Sequence, residues 1–243
     1  RKMKSNVIKY IFFIAVIIIV GVAVYMIYED NKSNSENTEN QTTAQTNQTI
    51  TDLRMEIVSY DTINPLISNN RNVQEITKLI FEPLLQLDEN YKLQPCLATE
   101  WAKSGDTSYI LKLRSNVKWQ DGTSFTAQDV KYTIETLKQI NSIYSYNVQH
   151  IASVDIIDNY SIRINLDTII PFFEYNLIFP IVSSTYFAGQ DIQNTDKNAT
   201  PIGTGMYKIE SNSTSTVVLK KNTSWWNISE KNAKVDTINV NKY

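Results

Sequence analysis

One histidine, His150, and one cysteine, Cys96, bound the side-chain chemistry open to this chain of 243 residues. A Ser–His or Cys–His nucleophile would need His150 itself, and its neighbours Gln149 and Ile151 supply no pattern for such a pair. The same two residues fall short of a Cys/His metal site, which takes three or four such ligands, and a lone cysteine forms no internal disulfide. Cys96 is therefore expected as a small packed residue and His150 as a satisfied surface or interface residue. Gly203-Thr204-Gly205 lacks the glycine-rich length and the lysine of a phosphate loop, so it reads as a tight turn ahead of a strand. Asp121 and Asp129 lie close enough in sequence to suggest paired carboxylates. A turn at Asp121-Gly122 and a capping partnership of Asp129 with Thr126 explain both. Trp225-Trp226 reads as a packing pair, with ligand stacking as the alternative. Enzyme activity, a cofactor and a metal are not expected.

A binding surface is the better candidate. Residues 67–72 lie between Pro65 and an oncoming helix, and the segment is short, polar and extended. Such a segment can offer backbone N–H and C=O groups to an extended peptide, which adds a strand to its edge. An ordinary surface loop is the alternative reading of the same residues.

The elements that must position this segment follow from periodicity and punctuation. Residues 53–59 form a first strand. Asn72 with Glu75 three residues on is an N-cap signature, and Val73, Ile76 and Ile80 mark one helical face. Pro83 should end that helix, since the residue before proline disfavours the α region. Residues 84–87 make a short strand, and 109–114 alternate as another. After the Asp121-Gly122 turn, Thr126 caps a helix running to about residue 140. Its Val130, Ile134 and Leu137 recur at i, i+4 and i+7 and give it one apolar face. Residues 154–157 and 161–166 flank Asp158-Asn159-Tyr160 as a hairpin with one buried face. Pro171 suits the first turn of a helix carrying Phe172, Phe173 and Leu177. Strands follow near 206–210, 216–220 and 235–240, and the intermixed order gives an α/β or α+β fold.

The N-terminal fifth is different in kind. Residues 10–28 contain no charge over 19 positions. As a helix that run is about 28 Å long, which suits a bilayer. Arg1, Lys2, Lys4 and Lys9 precede it, so a single-pass anchor would leave the remaining chain on the extracytoplasmic face. A cleaved signal peptide, giving a secreted protein, is the rival. Residues 29–50 are rich in Asn, Thr, Gln, Ser and Glu and are expected as a disordered polar tether. The hydrophobic fraction of 42% supports a packed core in what remains. A formal net charge of −2 argues against nucleic-acid binding.

Five pieces in order carry a family resemblance. They are Asn64-Pro65-Leu66 ahead of Ile80-Phe81-Glu82-Pro83-Leu84; Pro95-Cys96-Leu97-Ala98-Thr99-Glu100-Trp101; residues 111–130 with Asp121-Gly122 and Thr126-Ala127-Gln128-Asp129-Val130; Gly203-Thr204-Gly205-Met206-Tyr207; and Asn222-Thr223-Ser224-Trp225-Trp226-Asn227. Together they resemble the extracellular solute-binding proteins of family 5, the oligopeptide, dipeptide and nickel group. The resemblance implies an α/β, periplasmic-binding-protein-like (type II) first lobe at 51–243, with a mixed sheet and an inserted subdomain, here preceded by the transmembrane helix. It sets the main lobe at 51–81 and 168–243 and the inserted subdomain at 82–167. It also places a second lobe beyond Tyr243, making the chain an N-terminal fragment. As function it implies the substrate-binding component of an ABC importer, with an oligopeptide ligand and permease subunits as partners, beside the membrane reached through the N-terminal helix. The alternative is a membrane-anchored peptide or pheromone sensor on the same fold. By spacing from the family motif, Asn69 and Arg71, within Ser68-Asn69-Asn70-Arg71, fall on two ligand-contacting positions, and either Tyr144 or Tyr146 matches a ligand-facing tyrosine.

Overall fold

The structure, a computed structural model, describes residues 51–58 and 60–243. The expected anchor at 1–28 and tether at 29–50 lie outside the described residues. The expected order of membrane helix, tether and lobe is corrected accordingly. Among the described residues no helix is long and apolar enough to cross a membrane. What stands is the mixed α/β part alone, and no anchor is carried forward.

The first sheet comprises β1 (Asp52–Ile57), β8 (Tyr207–Asn212), β9 (Thr216–Lys221) and β10 (Thr237–Lys242), in the order β1-β10-β9-β8. β1 runs parallel to β10, pairing Leu53 with Ile238 and Met55 with Val240, while the other pairs are antiparallel, so the sheet is mixed. Val217 and Leu219 on β9, with Ile238 and Val240 on β10, alternate into the core, as the two-residue strand period requires. β1 is an edge strand, exposed at every residue except Ile57.

The second sheet is wholly antiparallel: β4 (Ala98–Lys103), β5 (Ser108–Leu113), β7 (Ser161–Leu166) and β6 (Ile151–Asp158), in the order β4-β5-β7-β6. Tyr109, Leu111 and Leu113 on β5 and Ile162, Ile164 and Leu166 on β7 are buried in the core cluster that also holds Val130, Ile134 and Leu137 of the helix α2 (Ala127–Leu137). Each such aliphatic side chain contributes about 1.5–3 kcal/mol on burial. The capping box of α2 forms, with Thr126 N–H donating to Asp129 Oδ2 at 2.8 Å. Asp129 does more than cap. Its buried carboxylate also accepts Trp119 Nε1 at 3.2 Å and both the N–H and the hydroxyl of Ser184, at 2.8 and 2.7 Å. A two-stranded hairpin of β2 (Leu85–Leu87) and β3 (Leu93–Pro95) lies between the sheets in sequence.

Two helices differ from expectation. The helix α1 (Arg71–Thr77) starts one residue before Asn72, with Asn70 as its cap. Asn70 Oδ1 accepts Asn72 N–H at 2.9 Å, and Asn70 C=O accepts Gln74 N–H. Asn70 and Asn72, two positions apart, offer the same cap, and the ladder bond decides between them. After Pro171 there is only a single 3-10 turn, Phe173–Asn176, and Phe172 ahead of it adopts φ 56°. That left-handed conformation cannot continue a helix of L-residues.

The two glycines of Gly203-Thr204-Gly205 are required for a reason other than turn formation. Neither has a positive φ. A Cβ on Gly203 would lie 1.8 Å from the carbonyl oxygen of Ile80, and one on Gly205 would lie 2.7 Å from it. Backbone lies against backbone here, fixed by Gly205 N–H to Ile80 C=O at 2.8 Å and Tyr207 N–H to Leu79 C=O at 2.9 Å. The end of α1 is thereby locked to the entry of β8.

Candidate ligand-binding site

The segment ahead of α1 is held by short polar side chains that bond their own backbone. Asn64 Oδ1 accepts Leu66 N–H at 3.0 Å, and Asn64 C=O accepts Ser68 N–H at 3.1 Å. This is an Asx-type turn, which Asn forms readily. Asn64 Nδ2 reaches across 134 residues to donate to Asn198 Oδ1 at 2.8 Å, so this turn is anchored in the core. Ser68 is buried. Its hydroxyl donates to Asp61 Oδ1 at 2.7 Å and accepts Asn70 N–H at 3.1 Å.

Gln74, one turn into α1, gathers these pieces. Its amide donates to Pro65 C=O at 2.9 Å and to Ser68 C=O at 2.8 Å, and its oxygen accepts Tyr144 Oη at 2.6 Å. Burial, reinforced by the nearby Glu75 carboxylate, pushes the Tyr144 hydroxyl up to about 12. Both causes disfavour the phenolate, so the hydroxyl stays a proton donor throughout the neutral range. Tyr144 precedes the short helix α3 (Ser145–Val148). The link from Gln74 to Tyr144 therefore ties the segment to the chain that leads into the second sheet.

Above this brace, Asn69 is exposed, and among the described residues its backbone N–H and C=O make no hydrogen bond. Arg71 is also exposed and forms no ion pair among the described residues. The structure thus ties Ser68 and Tyr144 to the Gln74 side chain, and Asn69, Asn70 and Arg71 follow Ser68 directly in the chain. Tyr146 stands apart, 74% exposed and outside this hydrogen-bonded group. The extended edge expected over 67–72 is narrower in the structure, since the Ser68 carbonyl and Asn70 N–H are already engaged. Gln74, Asn64 and Asp61 were not singled out from the sequence as site residues. Asn64-Pro65-Leu66 and Asp61-Thr62 carry an Asx-turn signal, but nothing local marks Gln74 as the residue that reaches back.

The other chemical candidates take structural roles. His150 Nδ1 lies 3.1 Å from Asp167 Oδ1 at the surface. Cys96 is buried, and burial first, with the Glu82 charge second, drives its thiol far above the ordinary range. A thiol held protonated in this way is not a nucleophile. The two adjacent tryptophans contact one another edge-on, and both indole N–H groups donate to the buried Glu82 carboxylate. Among the described residues no group of three or more His, Cys, Asp or Glu could hold a metal ion.

Comparison with known proteins decides the family. The description "Bacterial extracellular solute-binding proteins, family 5 Middle" matches residues 92–243. The chain belongs to this family. Family 5 proteins are non-catalytic transport proteins. The glutathione-binding protein GsiB of Shigella boydii is 30% identical over 172 residues, 69% of this chain and 34% of that protein. The structure of NikZ from Campylobacter jejuni in complex with Ni(L-His) superposes with a TM-score of 0.70 at 28% identity, covering 81% of this chain and 39% of that one. That of the oligopeptide-binding protein AppA from Bacillus subtilis in complex with a nonapeptide gives 0.71 at 22% identity, over 79% and 40%. The fold is therefore the mixed α/β periplasmic-binding-protein-like one, and this family 5 chain spans about a third of the curated relatives it matches. Two further expectations are corrected. Attachment to a membrane through an N-terminal helix, both as a partner and as a single-pass location, has no helix among the described residues to rest on.

Proposed function

We propose that the chain forms the first lobe of the extracytoplasmic substrate-binding component of an ABC importer, and that it captures oligopeptides for delivery to a membrane permease. On this reading 51–81 and 168–243 make the main lobe, 82–167 is a subdomain inserted into it, and a second lobe closes over the ligand. Ser68-Asn69-Asn70-Arg71 then takes the peptide main chain, with Tyr144 bracing the segment from below. The observation that carries the reading is Asn69: an exposed backbone N–H and C=O left open, on a segment whose neighbours are fixed. Main-chain groups recognise a peptide without reading its sequence. GsiB, named for glutathione binding, and AppA, solved with a nonapeptide, support a peptide-like ligand, while NikZ, solved with Ni(L-His), widens the class to metal complexes of amino acids.

Capture works because the ligand binds the closed arrangement better than the open one. One lobe alone therefore binds weakly. The test is an NMR titration of the chain with tri- to nonapeptides of varied sequence. Millimolar binding that shifts the Asn69 amide, with little dependence on side chains, is the expected result. Micromolar affinity for the chain alone, or binding that leaves 67–71 unmoved, overturns the reading.

A further inference from the structure

Past the C-terminal end of α1 the chain enters the wall of a cavity of about 460 Å³, within the range of small-ligand sites. Its walls come from five parts of the chain: Lys78 to Glu82, the β2–β3 hairpin with Cys96, the end of β5, Met206 ahead of β8, and the loop between β9 and β10. Glu82, 8% exposed, lines this cavity, with Oε1 accepting Trp225 Nε1 at 3.1 Å and Oε2 accepting Trp226 Nε1 at 2.9 Å. Both of its oxygens are thus satisfied by the indoles.

Arg114 is held in a different way. Its Nε donates to Cys96 C=O at 2.6 Å, and its guanidinium carbon lies 4.1 Å from the centre of a Trp226 ring. It is close enough to Glu82 for the two charges to act on one another, yet among the described residues Arg114 forms no ion pair. Its terminal nitrogens make no hydrogen bond among the described residues, and Arg114 lines the cavity. Lys231, at the rim, also forms no ion pair among them, and Glu230 beside it is likewise unpaired and exposed. A guanidinium fixed through Nε and an aromatic face, with its outer nitrogens open, has the fork geometry that a carboxylate matches with two parallel bonds.

We propose that this cavity is a binding site for a small organic carboxylate, received by Arg114 against Trp226, with Lys231 adding charge at the rim and Met206 and Trp225 facing the apolar body. It is separate from the Asn69 segment, and the two stand or fall independently. The test titrates the full chain with benzoate and with its neutral counterpart benzamide, following tryptophan emission and the indole N–H resonances of Trp225 and Trp226. Benzoate should saturate and move both indoles, benzamide should bind at least tenfold more weakly, and Arg114→Lys and Lys231→Gln should each weaken benzoate several-fold. Equal binding of the two probes, no saturable response, or unchanged benzoate binding in both variants overturns the proposal. Should Arg114→Lys fail to fold, Lys231→Gln, on an exposed side chain, together with the benzoate-to-benzamide ratio still decides it. A benzoate response at the Asn69 amide with silent indoles rejects this cavity and leaves the peptide reading untouched, whereas a failed peptide titration leaves the indole response free to appear.

Discussion

Two junctions flank α1, and they are built on opposite plans. At its C-terminal end, backbone meets backbone: Gly203 and Gly205 lie against Leu79 and Ile80 with no room for a Cβ, and Gln120 locks the same strand entry from the side. Gln120 Oε1 accepts Gly203 N–H at 3.0 Å and its amide donates to Tyr207 C=O at 2.7 Å. At the N-terminal end, side chains hold backbone: Ser68, Asn64, Gln74 and Tyr144 fix the segment from beneath and leave Asn69 and Arg71 uncovered. The first plan tolerates no change of residue type. The second separates support from surface, so the exposed positions can vary without loosening the scaffold.

The sharpest way to break this contrast is Gly203→Ala. A methyl group 1.8 Å from a carbonyl oxygen cannot be absorbed by a rotamer change, because the neighbour is backbone. The cost should exceed about 3 kcal/mol, the upper end for ordinary overpacking, and the variant should be largely unfolded by circular dichroism. A loss of only about 1 kcal/mol, the lower end for overpacking, would show that α1 and β8 separate easily. Gln74→Ala comes next. It removes two bonds to backbone carbonyls and the acceptor of Tyr144. With about 1 kcal/mol for each bond lost, urea denaturation should show a loss of about 2–3 kcal/mol. The Asn70 amide, which donates to Ser68 Oγ, should also exchange with solvent faster if the brace acts as described.

How much of this was legible depended on sequence distance. The second sheet and its helix are local: the 161–166 alternation, the Asp121-Gly122 turn with Gly122 at φ 88°, and the Thr126–Asp129 box all appear where their residues predict. The parallel pairing of β1 with β10 joins residues almost the whole described length apart, and no pattern within either strand announces it. The glycines were legible as necessary but not for the right reason, since the Ile80 carbonyl that excludes a Cβ is remote in sequence. For the proposed site, the family resemblance pointed to Ser68 to Arg71, while Gln74 read only as one more polar helix residue. Tyr144 and Tyr146 could not be separated from sequence, because two residues of a short helical turn differ in direction rather than in type.

Smaller effects sharpen the second plan. Tyr144→Phe removes one hydrogen bond to Gln74, worth about 1 kcal/mol at neutral pH. The Tyr144 hydroxyl is raised from 10.0 to about 12 in the folded protein, so the unfolded chain loses its proton first. A group raised on folding contributes fully below its unfolded pKa and loses that contribution as pH climbs through the folded one. For Tyr144 the window therefore runs from 10.0 to about 12. The stability difference between parent and variant, measured by urea denaturation at stepped pH, should shrink over that window. A difference that grows with pH would mean the hydroxyl is not the donor. Tyr60, raised to about 12 mainly by burial, falls in the same window, but it is common to both proteins and cancels in the difference.

The smallest expected change is the most informative about what the segment is for. Asn69 and Arg71 have exposed side chains, and neither forms an ion pair among the described residues. Replacing either with Ala should move stability by no more than about 0.5 kcal/mol. Arg71 opens the first turn of α1, where the partial positive charge of the helix end opposes a cation. Its removal should therefore gain stability, by about 0.3 kcal/mol. Among the described residues no ion pair offsets this cost, and the peptide reading supplies a partner from outside the described chain. If Arg71→Ala leaves the melting temperature at or slightly above that of the parent but weakens the peptide-induced shift of the Asn69 amide, that outside group is the ligand. Should stability fall by about 2 kcal/mol or more, well beyond an ordinary surface change, Arg71 belongs to the brace, and the division between support and surface has been drawn in the wrong place.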